Sequence, residues 1–139
     1  MEQFRCNNKF SYHLTADQEL LHGDYKIPPL IVQPFIENAI HHGLLNKQDC
    51  NRQLEVSAYL KDDHIIFSIT DNGIGRKQSA VLKEVNRPEH QSYGVAITRE
   101  RIYLHNKNGK TNDVEITDLE QRGKATGTKA IIRINSFET

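Results

Sequence analysis

Apolar and polar residues alternate in five short stretches of the chain, and this spacing is typical of half-buried β-strands. The stretches span positions 10–14, 54–60, 65–69, 114–119 and 128–134. The second and third are joined by the turn-forming run 61–64, so they predict an antiparallel hairpin that ends at Asp71. In the last stretch four residues fall on one face, namely Thr128, Ala130, Ile132 and Ile134.

Two other segments have the spacing of amphipathic helices. The first covers positions 27–44, where Pro28 and Pro29 suit a helix start. Pro34 lacks an N–H, so we expect either a kink there or an α-helical start nearer Gln33. At about 100° per residue, the apolar arc of this helix holds Val32, Phe35, Ile36, Ala39 and Ile40.

The second helical segment opens at Gly94, runs to about Lys107 and is stopped by the Asn-Gly pair at 108–109. Its inward residues are expected to be Val95, Thr98, Ile102 and Leu104. Positions 77–93 before this helix break the regular pattern, apart from a short helical stretch at 79–85, and are the most lid-like part of the chain.

These elements follow one another without a regular βαβ repeat. We therefore expect an α/β two-layer sandwich, in which helices cover one face of a single mixed sheet. The length of 139 residues suits one domain spanning 1–139.

The charge balance narrows the classes of partner. The 18 basic and 18 acidic side chains cancel, so there is no general electrostatic case for nucleic acid or an anionic membrane surface, and any bound anion must be held locally. Cys6 and Cys50 lie far apart without a CxxC pattern, which argues against a zinc or disulfide framework and favours a reducing compartment. The sequence has no run of 18 apolar residues and no signal-peptide pattern.

The polar arc of the first helix carries an acid, an amide and two imidazoles, at Glu37, Asn38, His41 and His42. These groups are short and rigid, unlike the long stems of an ordinary solvated face, and they favour a ligand site. Glu37 and Asn38 each lie one helical turn from His41, so one ligand can touch all three. Adjacent imidazoles point about 100° apart, which disfavours a structural zinc site.

The run from Asp71 to Gly75 reads Asp-Asn-Gly-Ile-Gly and follows directly from a predicted strand. A carboxylate at the end of a buried strand requires hydrogen bonds, and Gly73 and Gly75 let the backbone approach a flat ligand or adopt positive φ. Taken alone, an ordinary strand-exit turn is the commoner interpretation of these residue types. The run matches neither a Rossmann fingerprint nor a P-loop.

Two weaker signals come later in the chain. The N–H groups at Gly94 begin a helix and suit an anion, with the hydroxyls of Ser92 and Tyr93 nearby, although many such glycines merely begin a helix. Gly127 and Thr128 are expected to open the last strand and offer close backbone approach and one hydroxyl.

In order and spacing, four segments together resemble the N, G1, G2 and final Gly boxes of the histidine-kinase ATPase domain. The segments are 28–43, 71–75, 93–102 and 127–128. The Pro-Pro…Gln-Pro…Glu-Asn-Ala…His-Gly form of the first is similar to the LytS/YehU type of bacterial sensor kinase. The resemblance implies the Bergerat (GHKL) fold, with ATP in a crevice under a mobile lid at about 77–93.

The resemblance also implies roles for individual residues. Asn38 corresponds to the amide that binds Mg²⁺, and Glu37 to the catalytic acid that orients water or assists proton removal. Asp71 corresponds to the acid that accepts from the adenine amino group, and Gly73 and Gly75 to the glycines that shape the base pocket. The other implied nucleotide contacts are His41, His42, Tyr93, Gly94 and Thr128. Two positions depart from the family pattern, which commonly has Gly at the place of Ser92 and Asn at the place of Ile97.

None of the seven histidines lies in the Pro-His-Phe context of this type's phosphoacceptor. The resemblance therefore implies the ATP–Mg²⁺-binding catalytic domain of a two-component sensor kinase, whose target histidine, dimerisation helices and sensor precede Met1. It further implies a response regulator as partner, and a cytoplasmic domain of a homodimer in the inner membrane. The abrupt start at Met1 also reads like a cut inside a longer sequence.

Two alternatives stay open. One is a non-catalytic nucleotide-binding module of the same fold, and the other is a GHKL-type ATPase or serine kinase. The intact Glu37 and Asn38 pair favours the histidine kinase over the first alternative, and the short lid and the Pro-Pro…Gln-Pro helix favour it over the second.

Overall fold

The computed structural model describes residues 10–18, 20, 25–26, 31–44, 47, 51–61, 64–76, 93–106, 113–135 and 137–138. The strands in these ranges are β1 (Ser11–Ala16), β2 (Tyr25–Lys26), β3 (Gln53–Lys61), β4 (His64–Asp71), β5 (Val114–Gln121), β6 (Lys124–Asn135) and β7 (Phe137–Glu138). The helices are α1 (Gln33–Asn38), a π-helical segment that continues it (Ala39–Leu44), and α2 (Tyr93–His105).

Five strands form one mixed sheet in the order β1-β3-β4-β6-β5. The β1–β3 pair is parallel and the other three pairs are antiparallel. Strands β2 and β7 form a separate antiparallel pair. The predicted hairpin is β3–β4, and it ends at Asp71 as expected. The predicted two-layer sandwich is confirmed.

One face of the sheet packs against the helices and forms the core. The fully buried residues of this core are Ile31, Leu44, Ile69, Ile102, Ile132 and Ile134. The predicted apolar face of the last strand is confirmed for Ala130, Ile132 and Ile134. The alternation of β6 thus places one row of side chains against the helices.

The first helix begins where the proline argument placed it. The α-helix starts at Gln33, and Pro34 lies in its first turn, where a backbone N–H has no intrahelical partner in any case. After Asn38 the helix widens into the π segment, a form that recurs at functional sites.

Two sequence-based expectations about element details are wrong. Leu104 was expected to face inward, but its side chain is 65% exposed. Because it lies two residues from the buried Ile102, it points about 200° away around the helix. The last strand also begins at Lys124, three residues before Gly127, because the chain makes a tight hairpin from β5 at Arg122 and Gly123.

The short β2–β7 pair was not predicted, since two residues per strand are too few to show alternation. The predicted lid at 77–93 and its helix at 79–85 lie outside the described residues, except for the helical backbone at Tyr93. Within the described ranges, no helix is both long and apolar enough to cross a membrane.

Candidate functional site

Three polar side chains lie in one cross-strand row on the helix-covered face of the sheet. Asp71 at the end of β4 pairs with Thr128 on β6, and Thr128 pairs in turn with Asp118 on β5. Asp71 also pairs with the buried Leu54 on β3. This row therefore marks the polar edge of an otherwise apolar layer.

Asp71 is a buried acid, with only 5% of its surface exposed. The backbone N–H of Gly73 donates to its Oδ1 at 2.8 Å, and a second backbone hydrogen bond comes from Thr128. Burial raises the pKa of the Asp71 carboxyl to about 6, because the two hydrogen bonds that favour the charged form only partly offset desolvation. The carboxylate is therefore ionised at neutral pH at an energetic cost.

Gly43, in the π segment, lies directly against this carboxylate. A Cβ atom on Gly43 would sit 2.9 Å from Oδ1 of Asp71, and one on Gly73 would sit 2.6 Å from the Gly43 carbonyl oxygen. The N–H of Ile74 also donates to that carbonyl oxygen at 3.3 Å. The helix and the strand-exit turn thus meet backbone to backbone, which only glycine at both positions allows.

A third glycine closes the same site from β6. Gly127 has a φ of 148°, and a Cβ atom there would overlap the carbonyl oxygen of Asp71 and lie 2.9 Å from the Cα of Asn72. Gly75 has a φ of 88°, which side chains rarely adopt, and it approaches Ala125. The expected positive φ is confirmed at Gly75, whereas the close approaches of Gly73 and Gly127 are to the protein's own backbone, and approach to a ligand stays a prediction.

Asn72, between these glycines, has a structural role. Its Oδ1 accepts from the N–H of Gln53 at 2.7 Å, and its Nδ2 donates to the carbonyl oxygen of Asn51 at 2.9 Å. These bonds tie the turn to the start of β3, so Asn72 and Asp71 serve different purposes.

Arg76 follows the turn and forms a bidentate ion pair with Asp118. Nε donates to Oδ1 at 2.7 Å and Nη2 donates to Oδ2 at 3.0 Å. The hydrogen bond to Asp118 raises the pKa of the Arg76 guanidinium. Sequence reasoning missed this pair, because nothing local connects two residues that are 42 positions apart.

The polar side chains of α1 lie shortly before Gly43 in the chain. Glu37 is exposed and its Oε1 accepts from Nε2 of Gln33 at 2.8 Å; Asn38 is partly buried and His41 is exposed. Asn38 precedes Gly43 by five residues, which is roughly 6–8 Å along a helix axis. The predicted amide and acid are therefore about one turn from the contact with Asp71.

The remaining predicted contacts are described only by their backbone. His42 lies in the π segment, and Tyr93 and Gly94 begin α2, but the side chains of these three positions lie outside the described residues. Their assignment, like the roles of the other site residues, stays a prediction. Gly43 itself was visible in the sequence only as the glycine after two histidines at the end of a helix.

The residues present suit Mg²⁺ in one particular way. Among the described residues, no three His, Cys, Asp or Glu side chains come together. The amide oxygen of Asn38 can serve as one ligand of a hard cation that keeps its waters and completes its shell with phosphate oxygens.

The fold is the one found in the catalytic domains of histidine kinases. The structure superposes on a mycobacterial sensor histidine kinase, MprB, with a TM-score of 0.61 at 18% sequence identity, covering 99% of this chain and 88% of that one. Such a likeness at this identity establishes the fold. No protein-family profile matches the chain.

Sequence comparison finds relatives of one type, the LytS sensor proteins. The chain is 36% identical over 75 residues to the sensor protein LytS of Staphylococcus epidermidis RP62A, which is 54% of this chain and 12% of that protein. It is 25% identical over 114 residues to the sensor histidine kinase/phosphatase LytS of Staphylococcus aureus Mu50, 80% of this chain and 19% of that one. The chain is homologous to the LytS sensor histidine kinases, and it spans less than a fifth of the length of these two.

Proposed function

We propose that this chain binds ATP with Mg²⁺ and is the catalytic part of a two-component sensor histidine kinase. The observation that carries the proposal is the Asp71 carboxylate, buried at the end of β4 and held between the backbones of Gly43, Gly73 and Thr128. Burying an ionised carboxylate away from water costs free energy, and a ligand that supplies a hydrogen-bond donor reduces this cost. The exocyclic amino group of adenine is such a donor.

The base pocket continues from Asp71 along the sheet. Thr128 offers its hydroxyl beside the carboxylate, and Gly75 in the exit turn has no side chain that could obstruct a flat ring. Adenine therefore meets an acceptor and a hydroxyl on one edge and bare backbone on the other.

The triphosphate end is assigned to the polar face of the first helix. Asn38 would hold the magnesium ion, which neutralises phosphate charge and orients the γ-phosphoryl group when bound. His41 and His42 follow on the same segment, and the N–H groups of α2 at Tyr93 and Gly94 suit a phosphate oxygen.

Glu37 is the residue assigned to proton handling. Its side chain is exposed and oriented by the hydrogen bond from Gln33, so it is accessible to an acceptor histidine that arrives from outside this chain. There it accepts the imidazole proton or fixes the tautomer as the nitrogen attacks phosphorus, a general-base role. Positioning and charge neutralisation provide most of the remaining rate enhancement.

The partners of such a kinase lie outside this chain. The phosphorylated histidine would belong to an upstream dimerisation segment, and the phosphoryl group would then pass to a response regulator. The homologous LytS proteins are sensor proteins. We place this domain in the cytoplasm, as part of a membrane-associated homodimer.

The two alternatives differ from this proposal in their chemistry. A nucleotide-binding module would bind ATP without transfer, and a GHKL-type ATPase or serine kinase would release phosphate or modify a hydroxyl. The Glu37 and Asn38 pair on the helix favours histidine phosphorylation over simple binding.

The test is calorimetry with ATP and a non-hydrolysable analogue, with and without Mg²⁺, followed by transfer to a histidine segment of a LytS protein supplied in trans. Asp71→Asn should weaken ATP binding roughly 10- to 150-fold, the equivalent of losing a charged hydrogen bond of about 1.5–3 kcal/mol. Asn38→Ala should abolish Mg²⁺-dependent transfer with the fold retained.

Glu55→Gln is the matched control, because Glu55 is an exposed acid on the opposite face of the same sheet. Its ATP affinity should equal that of the unchanged protein. No ATP uptake at millimolar concentration by the unchanged protein would refute the proposal, and binding without transfer in the presence of Mg²⁺ would favour the non-catalytic module.

A further inference from the structure

Arg76 attaches the end of the Asp71–Gly75 turn to a distant strand. Besides its two hydrogen bonds to the Asp118 carboxylate, its Nη2 lies 3.5 Å from the carbonyl oxygen of Ile116 on β5. A bidentate guanidinium–carboxylate pair fixes orientation as well as distance. The guanidinium is therefore held at one place on β5.

The ion pair spans the polar row of the site. Asp118 and Asp71 lie in the same cross-strand row, with Thr128 on β6 between them. Since adjacent strands are about 4.8 Å apart, the two acids are separated by roughly 10 Å. Arg76 thus connects the turn that leaves one end of the row to the acid at the other end.

The other described attachments of this turn lie on its opposite side. Gly73 and Ile74 meet Gly43, and Asn72 is bonded to the start of β3. Gly75 is the last residue between these attachments and Arg76. Its φ is positive, a backbone conformation that glycine adopts readily because it has no Cβ atom. Loss of the ion pair would leave the β6 side of the turn held mainly by packing.

We infer that Arg76 is a positioning residue for the purine, which fastens the turn to β5 so that the Gly73 N–H keeps the Asp71 carboxylate in the orientation that the base requires. This inference rests on the proposed function. Arg76 acts through the Asp71–Gly75 turn, and Asp118 is the partner that completes the ion pair holding this turn.

The expected consequence is selectivity for the base as well as affinity. A guanine base presents a carbonyl oxygen where adenine presents its amino group, and a fixed carboxylate rejects that oxygen by repulsion. If the turn is loosened, the carboxylate can move away, so ATP binding weakens while GTP is excluded less strongly. An ion pair with no function beyond stability would not change the ratio of the two affinities.

The experiment measures ATP and GTP affinities by calorimetry for Arg76→Met, Asp118→Asn and the double variant, with Arg76→Lys as the conservative change. We expect each single variant to bind ATP about three- to tenfold more weakly, with a smaller ATP-to-GTP ratio. The double variant should be no weaker than the weaker single variant, because both remove the same pair. Arg76→Lys should restore part of the affinity, since it keeps the charge without the two parallel bonds.

A second ion pair provides the matched control. Arg133 on β6 donates to Glu115 on β5 at 3.2 Å, and both residues lie on the opposite face of the same two strands. Glu115→Gln and Arg133→Met should leave both nucleotide affinities unchanged. Circular dichroism and the urea midpoint of every variant check that the fold is retained.

The outcomes separate this inference from the proposed function. If the unchanged protein binds ATP and the Arg76 and Asp118 variants bind both nucleotides equally well, the inference is overturned and the proposed function stands. Three other results would give the ion pair a structural role only and overturn the inference. The variants could lose ATP and GTP affinity equally, the control pair could show the same losses, or all the Arg76 and Asp118 variants could fail to fold. No ATP binding by the unchanged protein would overturn both.

Discussion

Replacing Asp71 by Asn should make the domain more stable at neutral pH while its affinity for ATP falls. The pKa of the Asp71 carboxyl is about 6 in the folded protein and 3.8 in the reference state. A difference of about 2 units corresponds to roughly 3 kcal/mol that the ionised acid costs the native state at pH 7.5. Asn has a similar shape and no charge, so it removes that cost.

The gain is smaller than this figure, since Asn presents one acceptor oxygen instead of two. One of the hydrogen bonds from Gly73 and Thr128 is then weakened, at about 1 kcal/mol. We therefore expect the variant to be more stable than the unchanged protein by about 2 kcal/mol at pH 7.5. If residue 71 served only to stabilise the fold, the Asn variant would be less stable than the unchanged protein. A gain in stability is expected instead where a residue is retained for function at a cost in stability.

The pH dependence gives the sharper test. Because the folded pKa is raised, the native state binds more protons than the unfolded state between about pH 4 and 6, so the stability of the unchanged protein falls as pH rises through that window. The variant lacks this group, so the difference in unfolding free energy between the two proteins should change by about 2–3 kcal/mol between pH 4 and 7.5. Urea unfolding at both pH values without nucleotide measures this change. Parallel stability curves would refute the reasoning that burial of a charged Asp71 strains the empty site.

Two further variants test a close backbone contact in the site and a buried hydrogen-bonded amide at the other end of the sheet. Gly43→Ala places a methyl group against the Asp71 carboxylate, so ATP affinity should fall at least about tenfold with a loss of about 1–2 kcal/mol in stability. Calorimetry with ATP measures this loss, and Gly123→Ala is the control. Gly123 has positive φ but a Cβ atom there would meet nothing within 4 Å, so this variant should lose about 1 kcal/mol of stability with unchanged ATP affinity. Asn106→Ala removes a buried amide that donates to Asp113 and accepts from the N–H of Asn135, so urea unfolding should show a loss of about 2–4 kcal/mol. A loss below about 1 kcal/mol would mean that water replaces the amide.

The strands and the start of the first helix could be predicted because their causes are local. Alternation determines which face of β6 is buried, and the missing N–H of Pro34 fixes the helix start near Gln33. The inward orientation expected for Leu104 is wrong because its apolar side chain lies about 200° around the helix from the buried Ile102.

The same distinction between local and tertiary causes applies to the residues of the site. The run from Asp71 to Gly75 identified the acid, but its partners depend on tertiary contacts. Gly43 touches the carboxylate from the π segment that follows Asn38, and sequence periodicity at 3.6 residues cannot reveal such a segment. The pair between Arg76 and Asp118 depends on strand order, which alternation leaves undetermined.

The contact of Gly43 with residue 71 limits how this pocket can be re-engineered. A longer acid such as Glu at position 71 would extend into the helix backbone, where no side chain can be trimmed to make room. Redesign toward other bases must therefore begin with the path of the widened helical turn, and substitutions at the acid itself come second.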